Sequence, residues 1–378
     1  MMKILRPLNI QRGFSVSSMP KLQKGFSLVE LMISITLGLI LMGGVIQMFI
    51  SSKTAFNTQR GVSNVQESGR LAIEFMARDI RMAGFMGCAS RKIGQVDSTV
   101  KGTDFQYDML DSSATPGVLV LDAIRGYSAT PAGLVLSPAP LANTDLFVVT
   151  GAMDDDVSVI KDKEAATMFA SLTKQEAKGC PNGTDDRLSG ICPGDVLLVT
   201  DCKKARIFQA TKVGVSSGEL HINHEASGTP GNTISSWGGS SGADNSYTDG
   251  GQILKMQRVI YYLAKGKSGR PSLWQNTGGI SLEILEGVED MHITYGRDTN
   301  NDLIPDTYNS AAQVDAIGAA AWHNVSSVRL HLLVQSLDDN VVPEKQTYSF
   351  ADDIDKEAAD FRLRQVFVST VGIRSRLN

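Results

Sequence analysis

FSLVELMISITLGLILMGGVIQMFI occupies residues 26–50 and carries a single charge, Glu30. The run that follows it, Leu31 to Ile50, has the roughly 20-residue length with which a helix crosses a bilayer core. Lys21 and Lys24 stand just ahead of the span and Lys53 just beyond it. Positive-inside bias therefore places residues 1–25 in the cytoplasm and the bulk of the chain on the far side of the membrane. In a bacterium that side is the periplasm, where disulfides are permitted.

The remaining composition is that of a folded, non-basic protein. Hydrophobic residues make up 42% and charged residues 20%, while 36 glycines and 12 prolines predict a head rich in turns and strands. The net charge of −4 shows no clustered basic face for nucleic acid. Loss of residues 1–25 would remove five of the 36 basic side chains and leave 31 against 40 acidic ones, so the mature body is acidic.

The order of the N-terminal elements is the reverse of a secretory signal, whose apolar region precedes a small-residue cleavage site. Here a basic leader ends at Gly25 and the apolar stretch follows, starting at Phe26 with an acid at Glu30. This G-F-S-L-V-E-L motif resembles the prepilin cleavage and methylation signal of type IV pilins and type II secretion pseudopilins. The resemblance implies a prepilin peptidase that cuts between Gly25 and Phe26 and methylates the new amino group of Phe26. It also gives Glu30 a role. An ionisable residue in an apolar span is costly and by default marks function, and the resemblance implies that its partner is the amino terminus of a neighbouring subunit. Met19 begins a shorter leader, MPKLQKG, that resembles the usual prepilin leader and is a second candidate start.

Beyond Ile50 no proline appears until Pro116. Val62, Val65, Gly69, Ala72, Met76 and Ile80 recur at spacings of three and four, which predicts that the span continues as one amphipathic helix to about Ala83. Residues 26–83 would then be about 85 Å long. Gly61 and Gly69 are expected to weaken its middle and allow bending. RLAIEFMARDIRMAGFMGC, residues 70–88, is similar to the helix end of PilW-type minor pilins. So in order are RVIYYLAKGKSGRPSLWQ, ILEGVEDMHITYGRDTNNDLIPD and FRLRQVFVSTVGIRSRL.

Strand-like runs fill the rest: 117–125, 145–152, 195–202, 205–214, 253–264, 282–296, 325–336 and 362–374. The fold class expected is α+β and type IV pilin-like, a long N-terminal helix packed on an antiparallel β-rich head. Its parts are a cleaved leader (1–25), a transmembrane helix half (26–50), an amphipathic half (51–83) and the head (84–378). Residues 225–251, centred on GGSSGADNS, read as a mobile loop.

No catalytic constellation emerges. Residues 214–218 spell G-x-S-x-G, but strand-like runs on both sides make it a hairpin turn and not a nucleophile elbow. His221 and His224 stand alone and read as filler. Arg362, Arg364, Arg374 and Arg376 alternate with apolar positions, as on the solvated face of a half-buried strand. Four cysteines allow three pairings. Cys180 with Cys192 would close a short turn, and Cys88 with Cys202 would tie the helix end to a strand. In GRDTNNDLIPDTYN, Asp298, Asn300, Asp302 and Asp306 fall at positions 1, 3, 5 and 9 of a calcium-type loop, with the Ile304 carbonyl at position 7. Leu303 replaces the glycine of position 6 and Asn309 the bidentate glutamate. The alternative is an acidic turn closed by Asx hydrogen bonds. No cofactor is required.

The resemblance implies a non-catalytic PilW-like minor pilin that primes a type IV pilus and sits at or near its tip, in motility or adhesion. Its implied neighbours are the prepilin peptidase, other minor pilins, the major pilin, the inner-membrane assembly platform and a tip adhesin. The rivals are a J-type pseudopilin of type II secretion and a membrane-anchored adhesin or binding protein that uses the apolar segment only as an anchor.

Overall fold

The computed structural model describes residues 25–376 apart from 89–95, 102–109, 116–117, 122, 165, 229–230, 235–236, 238–245, 248–249 and 352. Of the leader expected at residues 1–25, all but Gly25 lies outside the described residues. The chain divides into two compact units, Met1–Phe56 and Asn57–Asn378.

In the first unit the helix α1 (Leu28–Met82) begins. Its opening bond runs from the Leu31 N–H to the Ser27 carbonyl. Every side chain from Leu28 to Ile50 is exposed within the chain. Hydroxyls in this apolar stretch are not left bare: Ser34 donates to the Glu30 carbonyl at 2.7 Å and Thr36 to the Met32 carbonyl at 3.0 Å. Such back-bonding is how a hydroxyl is tolerated where no water is available.

The second unit holds the rest of α1 and the strands. In chain order these are β1 (Val96–Ser98), β2 (Leu110–Thr115), β3 (Val118–Leu121), β4 (Ile124–Tyr127), β5 (Leu146–Glu164), β6 (Thr167–Ser171), β7 (Gln175–Glu176) and β8 (Arg187–Leu188). Next come β9 (Val196–Thr200), β10 (Ala205–Gln209), β11 (Lys212–Ser216), β12 (Glu219–Asn223), β13 (Gln252–Lys265), β14 (Pro271–Thr277), β15 (Ile280–Glu286) and β16 (Val288–Arg297). After β17 (Thr307–Ser310), the short helix α2 (Ala311–Ile317) starts from a capping box of Ser310 and Gln313. The chain closes with β18 (Val325–Gln335), β19 (Thr347–Phe350), β20 (Asp353–Glu357) and β21 (Arg364–Gly372).

A large sheet runs in the order β1-β10-β9-β13-β5-β6-β12-β11, with β14 and β15 continuing from β13 and β4 from β5. β13 holds it together. It pairs with β5 along one edge and, along the other, first with β9 and then with β14. Its alternation explains the run of apolar residues. Val259, Tyr261 and Leu263 enter the core shared with α1, while Ile260, Tyr262 and Ala264 enter a separate cluster with Leu146, Val148 and Trp274. A strand buried on both faces is apolar throughout rather than at every second position.

The second sheet is β17-β16-β18-β21. Its inner face, including Met291, Ile293, Tyr295, Val328, Leu330, Leu332 and Val371, forms one core with Val65, Ala72, Met76 and Ile80 of α1. The helix face read from the periodicity is the buried one except at Val62, which is half-buried, and Gly61 and Ala77 join it.

The structure departs from sequence expectation in several elements. Residues 205–214 and 282–296 each read as one strand but form two. In the latter, Gly287 has φ +89° and lies so near the Gln335 carbonyl that an added Cβ would sit 2.8 Å from its oxygen. Residues 225–251 are not uniformly a surface loop, because Trp237 and Tyr247 are fully buried in a core with Phe208, Leu220 and Ile222. Two aromatics anchor what the glycine and serine content made look solvent-borne. Finally, Gly61 and Gly69 do not interrupt α1. They are points of close approach, to Val341 and to the Phe367 ring respectively.

Candidate functional site

Two regions carry the functional argument, one in each unit. Ahead of the helix, Gly25, Phe26 and Ser27 are exposed, and Glu30 lies in the first turn of α1. There a carboxylate interacts favourably with the helix dipole. Glu30 is the only charge on a helical surface that is apolar on every side up to Ile50. The most apolar stretch of α1 is long enough to cross a membrane, and none of it is buried within the chain. A helix of that kind is stable only inside a membrane or among other apolar helices.

The second region is the seat of α1 on the head. Thr58 donates through its hydroxyl to the Val341 carbonyl at 2.7 Å, beside the bare backbone of Gly61. Two turns further on, Gly69 lets the Phe367 ring of β21 lie against the helix backbone. Asp79 then accepts from the Tyr261 hydroxyl at 2.7 Å and from the Gln275 amide at 3.0 Å. Burial, and next the Asp79 charge, push the Tyr261 hydroxyl far above its ordinary pKa, so it stays a donor. At the helix end Gly84, with φ +71°, donates to the Thr150 carbonyl, and Ser375 donates to the Ala83 carbonyl at 2.7 Å. A disulfide between Cys88 and Cys202 ties the following turn to the head. The second disulfide, Cys180–Cys192, closes the short loop after β7.

Sequence reasoning missed Asp79, Tyr261, Gln275, Val341 and Phe367. Two glycines eight residues apart on the buried helix face were the available signal, because small residues let a neighbouring element approach closely.

The four C-terminal arginines need correction. Arg364 is 8% exposed, with Nε donating to Glu289 at 2.7 Å and Nη1 to Asp360 at 2.6 Å. Burial works against its charge, and the bonds to Asp360 and Glu289 outweigh that and raise its pKa. Arg376 is also buried and donates to the His323 carbonyl. Arg362 reaches the Ser336 and Leu337 carbonyls at 2.9 and 2.6 Å. Of the four, only Arg374 is exposed. Alternation was read as a solvated face, but Glu289, the nearby Asp360 and backbone carbonyls of distant residues convert three of the four into internal ties.

G-x-S-x-G is a hairpin: Ser216 pairs with Glu219, and Ser217 and Gly218 take φ of +54° and +79°. Positive φ at both central residues fits the twist of a two-residue turn. His221 lies on β12, and His224 is fully buried with its ring 3.9 Å from that of Trp237. Burial pushes the His224 pKa down to about 4.

In the 298–306 loop the Asp298 carboxylate accepts from the Asn300, Asn301 and Leu303 N–H groups. Asp302 accepts from Ile304 N–H, and Asp306 from both the N–H and the hydroxyl of Thr299. Leu303 has φ +71°, the conformation that glycine supplies at position 6 of a calcium loop. The Asn300 amide nitrogen lies between Asp302 and Asp306, at 3.1 and 3.3 Å. Among the described residues no group of three or more His, Cys, Asp or Glu is gathered as a metal site. The carboxylates are turned to the loop's own backbone.

An apolar N-terminal helix with one glutamate in its first turn, seated by its second half on an antiparallel β head, defines a membrane-anchored, type IV pilin-like subunit. Residues 260–375 match the family Type IV Pilus-assembly protein W, and residues 20–46 match the Prokaryotic N-terminal methylation motif. The two matches support a PilW-type pilin with a prepilin signal. The first covers the last six residues of β13 and the entire four-stranded sheet, including Phe367. No curated protein and no solved structure matches the chain.

Proposed function

We propose that this chain is a minor pilin that primes assembly of a type IV pilus and is incorporated at or near its tip, acting by assembly and not by catalysis. The observation that carries the reading is Glu30, a single carboxylate on the otherwise uncharged and uncovered apolar stretch of α1 up to Ile50. An unpaired carboxylate in hydrocarbon is costly, whereas the methylated amino group of Phe26 on a neighbouring subunit neutralises it. Prepilin peptidase cuts after Gly25 and methylates Phe26. The chain then waits in the inner membrane with its head in the periplasm until the assembly platform moves it into the filament. There its neighbours are other minor pilins, the major pilin and a tip adhesin.

Replacing Glu30 with alanine tests this. The variant is expected to reach the membrane and be processed, yet to be missing from sheared pili. A J-type pseudopilin would instead be recovered in a secretion pseudopilus. An anchored adhesin would tolerate Glu30→Ala without consequence. We further propose calcium as a ligand of the 298–306 loop, with support from the left-handed Leu303 and the carboxylates of Asp302 and Asp306 on either side of Asn300.

A further inference from the structure

β21 is a long edge strand, guarded at its start by Arg364 and open from Val366 onward. It pairs with β18 from Ser327↔Gly372 to Gln335↔Arg364 with no register break, and it ends its sheet. Proteins normally protect such edges with lysine, proline, bulges or short length, because a row of free N–H and C=O groups invites another chain. From Gln365 to Gly372 the sequence QVFVSTVG has no charge and no proline, and Val366, Val368, Thr370 and Val371 are β-branched. Other edges are guarded. β15 carries Glu283 and Glu286 and shifts register against β14, β11 opens with Lys212, and β17 and β1 are four and three residues long.

The direction of the free groups follows from the ladder. The Ile373 N–H donates to the Ser326 carbonyl, so residues 371, 369, 367 and 365 bond toward β18 while Val366, Val368, Thr370 and Gly372 face outward. At the strand's start the outward Arg364 N–H is taken by the Gln346 side chain at 2.5 Å. Among the described residues no acceptor meets the other four. Phe367 turns to Gly69 of α1 and holds the strand against the helix, while Val368, on the opposite face, is 56% exposed.

We propose that the outer edge of β21 receives an extended segment of a neighbouring pilin subunit, which adds a fifth strand to this sheet in the filament. Outward N–H and C=O groups repeat with the strand's period of two, about 6.7 Å, and only another extended backbone matches that spacing. A helix cannot, because its own backbone groups are already bonded. The incoming strand carries uncharged side chains opposite Val366 and Val368. This inference rests on the pilin reading, which supplies subunits as neighbours.

The test uses the full chain in piliated cells. Val368→Pro deletes one outward N–H without touching the β18 ladder, a position where edge strands accept proline. Val368→Thr keeps the N–H and the β-branch. Wild type and Val368→Thr are expected in sheared pili at equal levels, with Val368→Pro reduced about tenfold, the loss of roughly one interfacial hydrogen bond. All three should be equally abundant in the membrane, with the same melting temperature. Recovery of Val368→Pro at the wild-type level overturns the proposal and leaves the pilin reading standing. Absence of wild type from pili overturns both. If Val368→Pro melts below wild type, Val368→Lys decides, with the same loss expected and wild-type recovery overturning the proposal.

Discussion

Gly69→Ala separates helix propensity from packing. On propensity alone, alanine in a helix interior gains about 1 kcal/mol over glycine. In this fold the new Cβ would stand within 2.5 Å of three ring atoms of Phe367. Ordinary carbon contacts need about 3.5 Å or more, so the ring must shift by about 1 Å. The ring is wedged between α1 and its neighbours on the inner face of the four-stranded sheet, and overpacking of that kind costs about 1–3 kcal/mol. The net expected loss is about 1 kcal/mol, or a fall in melting temperature of about 1.5 °C for a unit as long as Asn57–Asn378. Thermal unfolding of the full chain in detergent, disulfides intact, measures it. Phe367→Leu removes part of the obstacle, so adding Gly69→Ala to that background should be neutral or stabilising. The resulting coupling between the two positions is expected to exceed about 0.5 kcal/mol. A Gly69→Ala chain that melts at or above wild type in the Phe367 background would refute the close-approach account.

Further outcomes follow from the same structure. His224 has its pKa lowered from 6.5 to about 4, chiefly by burial, so the fold favours the neutral ring. Its contribution is complete above about pH 6.5 and is lost as pH falls toward 4, at most about 3 kcal/mol. Trp237 fluorescence should report this acid destabilisation, and His224→Phe should lessen it; identical acid profiles would contradict it. Loss of Cys88–Cys202, which spans 114 residues, should cost more stability than loss of Cys180–Cys192, which spans 12. On loop entropy the two are about 4–5 and about 3 kcal/mol, and the reverse order in paired serine variants would count against the entropic argument. Calcium should raise the melting temperature of the chain relative to chelator, and Asp302→Ala should abolish the difference. Equal melting in both conditions makes residues 298–306 an ordinary Asx-closed turn.

Local features were the legible ones. The helix from 28 to 82 could be read because its span is a continuous apolar run and its second half keeps one periodicity. The hairpin at Ser217 and Gly218 could be read because turn chemistry is written in adjacent residues. What sequence left open was set at long range. Nothing near Arg364 in the chain announces Glu289, 75 residues away, as its partner, so an alternating arginine looked solvated. Gly69 looked like a weakness because propensity records only the cost of glycine in a helix. The gain arises from Phe367, almost 300 residues later. Trp237 was hidden by the glycines and serines around it, although a lone tryptophan in such a segment needs a buried place. The N-terminal signal was legible for a different reason: it is one contiguous motif, matched over residues 20–46, so its information is local.

The most direct test of the account is the intact mass and N-terminal sequence of this chain recovered from sheared pili. A minor pilin is predicted to begin at N-methylated Phe26 and to be present at far below the abundance of the major pilin. A chain that still carries the residues before Phe26, or one that remains wholly in the inner membrane while pili form normally without it, would contradict the account.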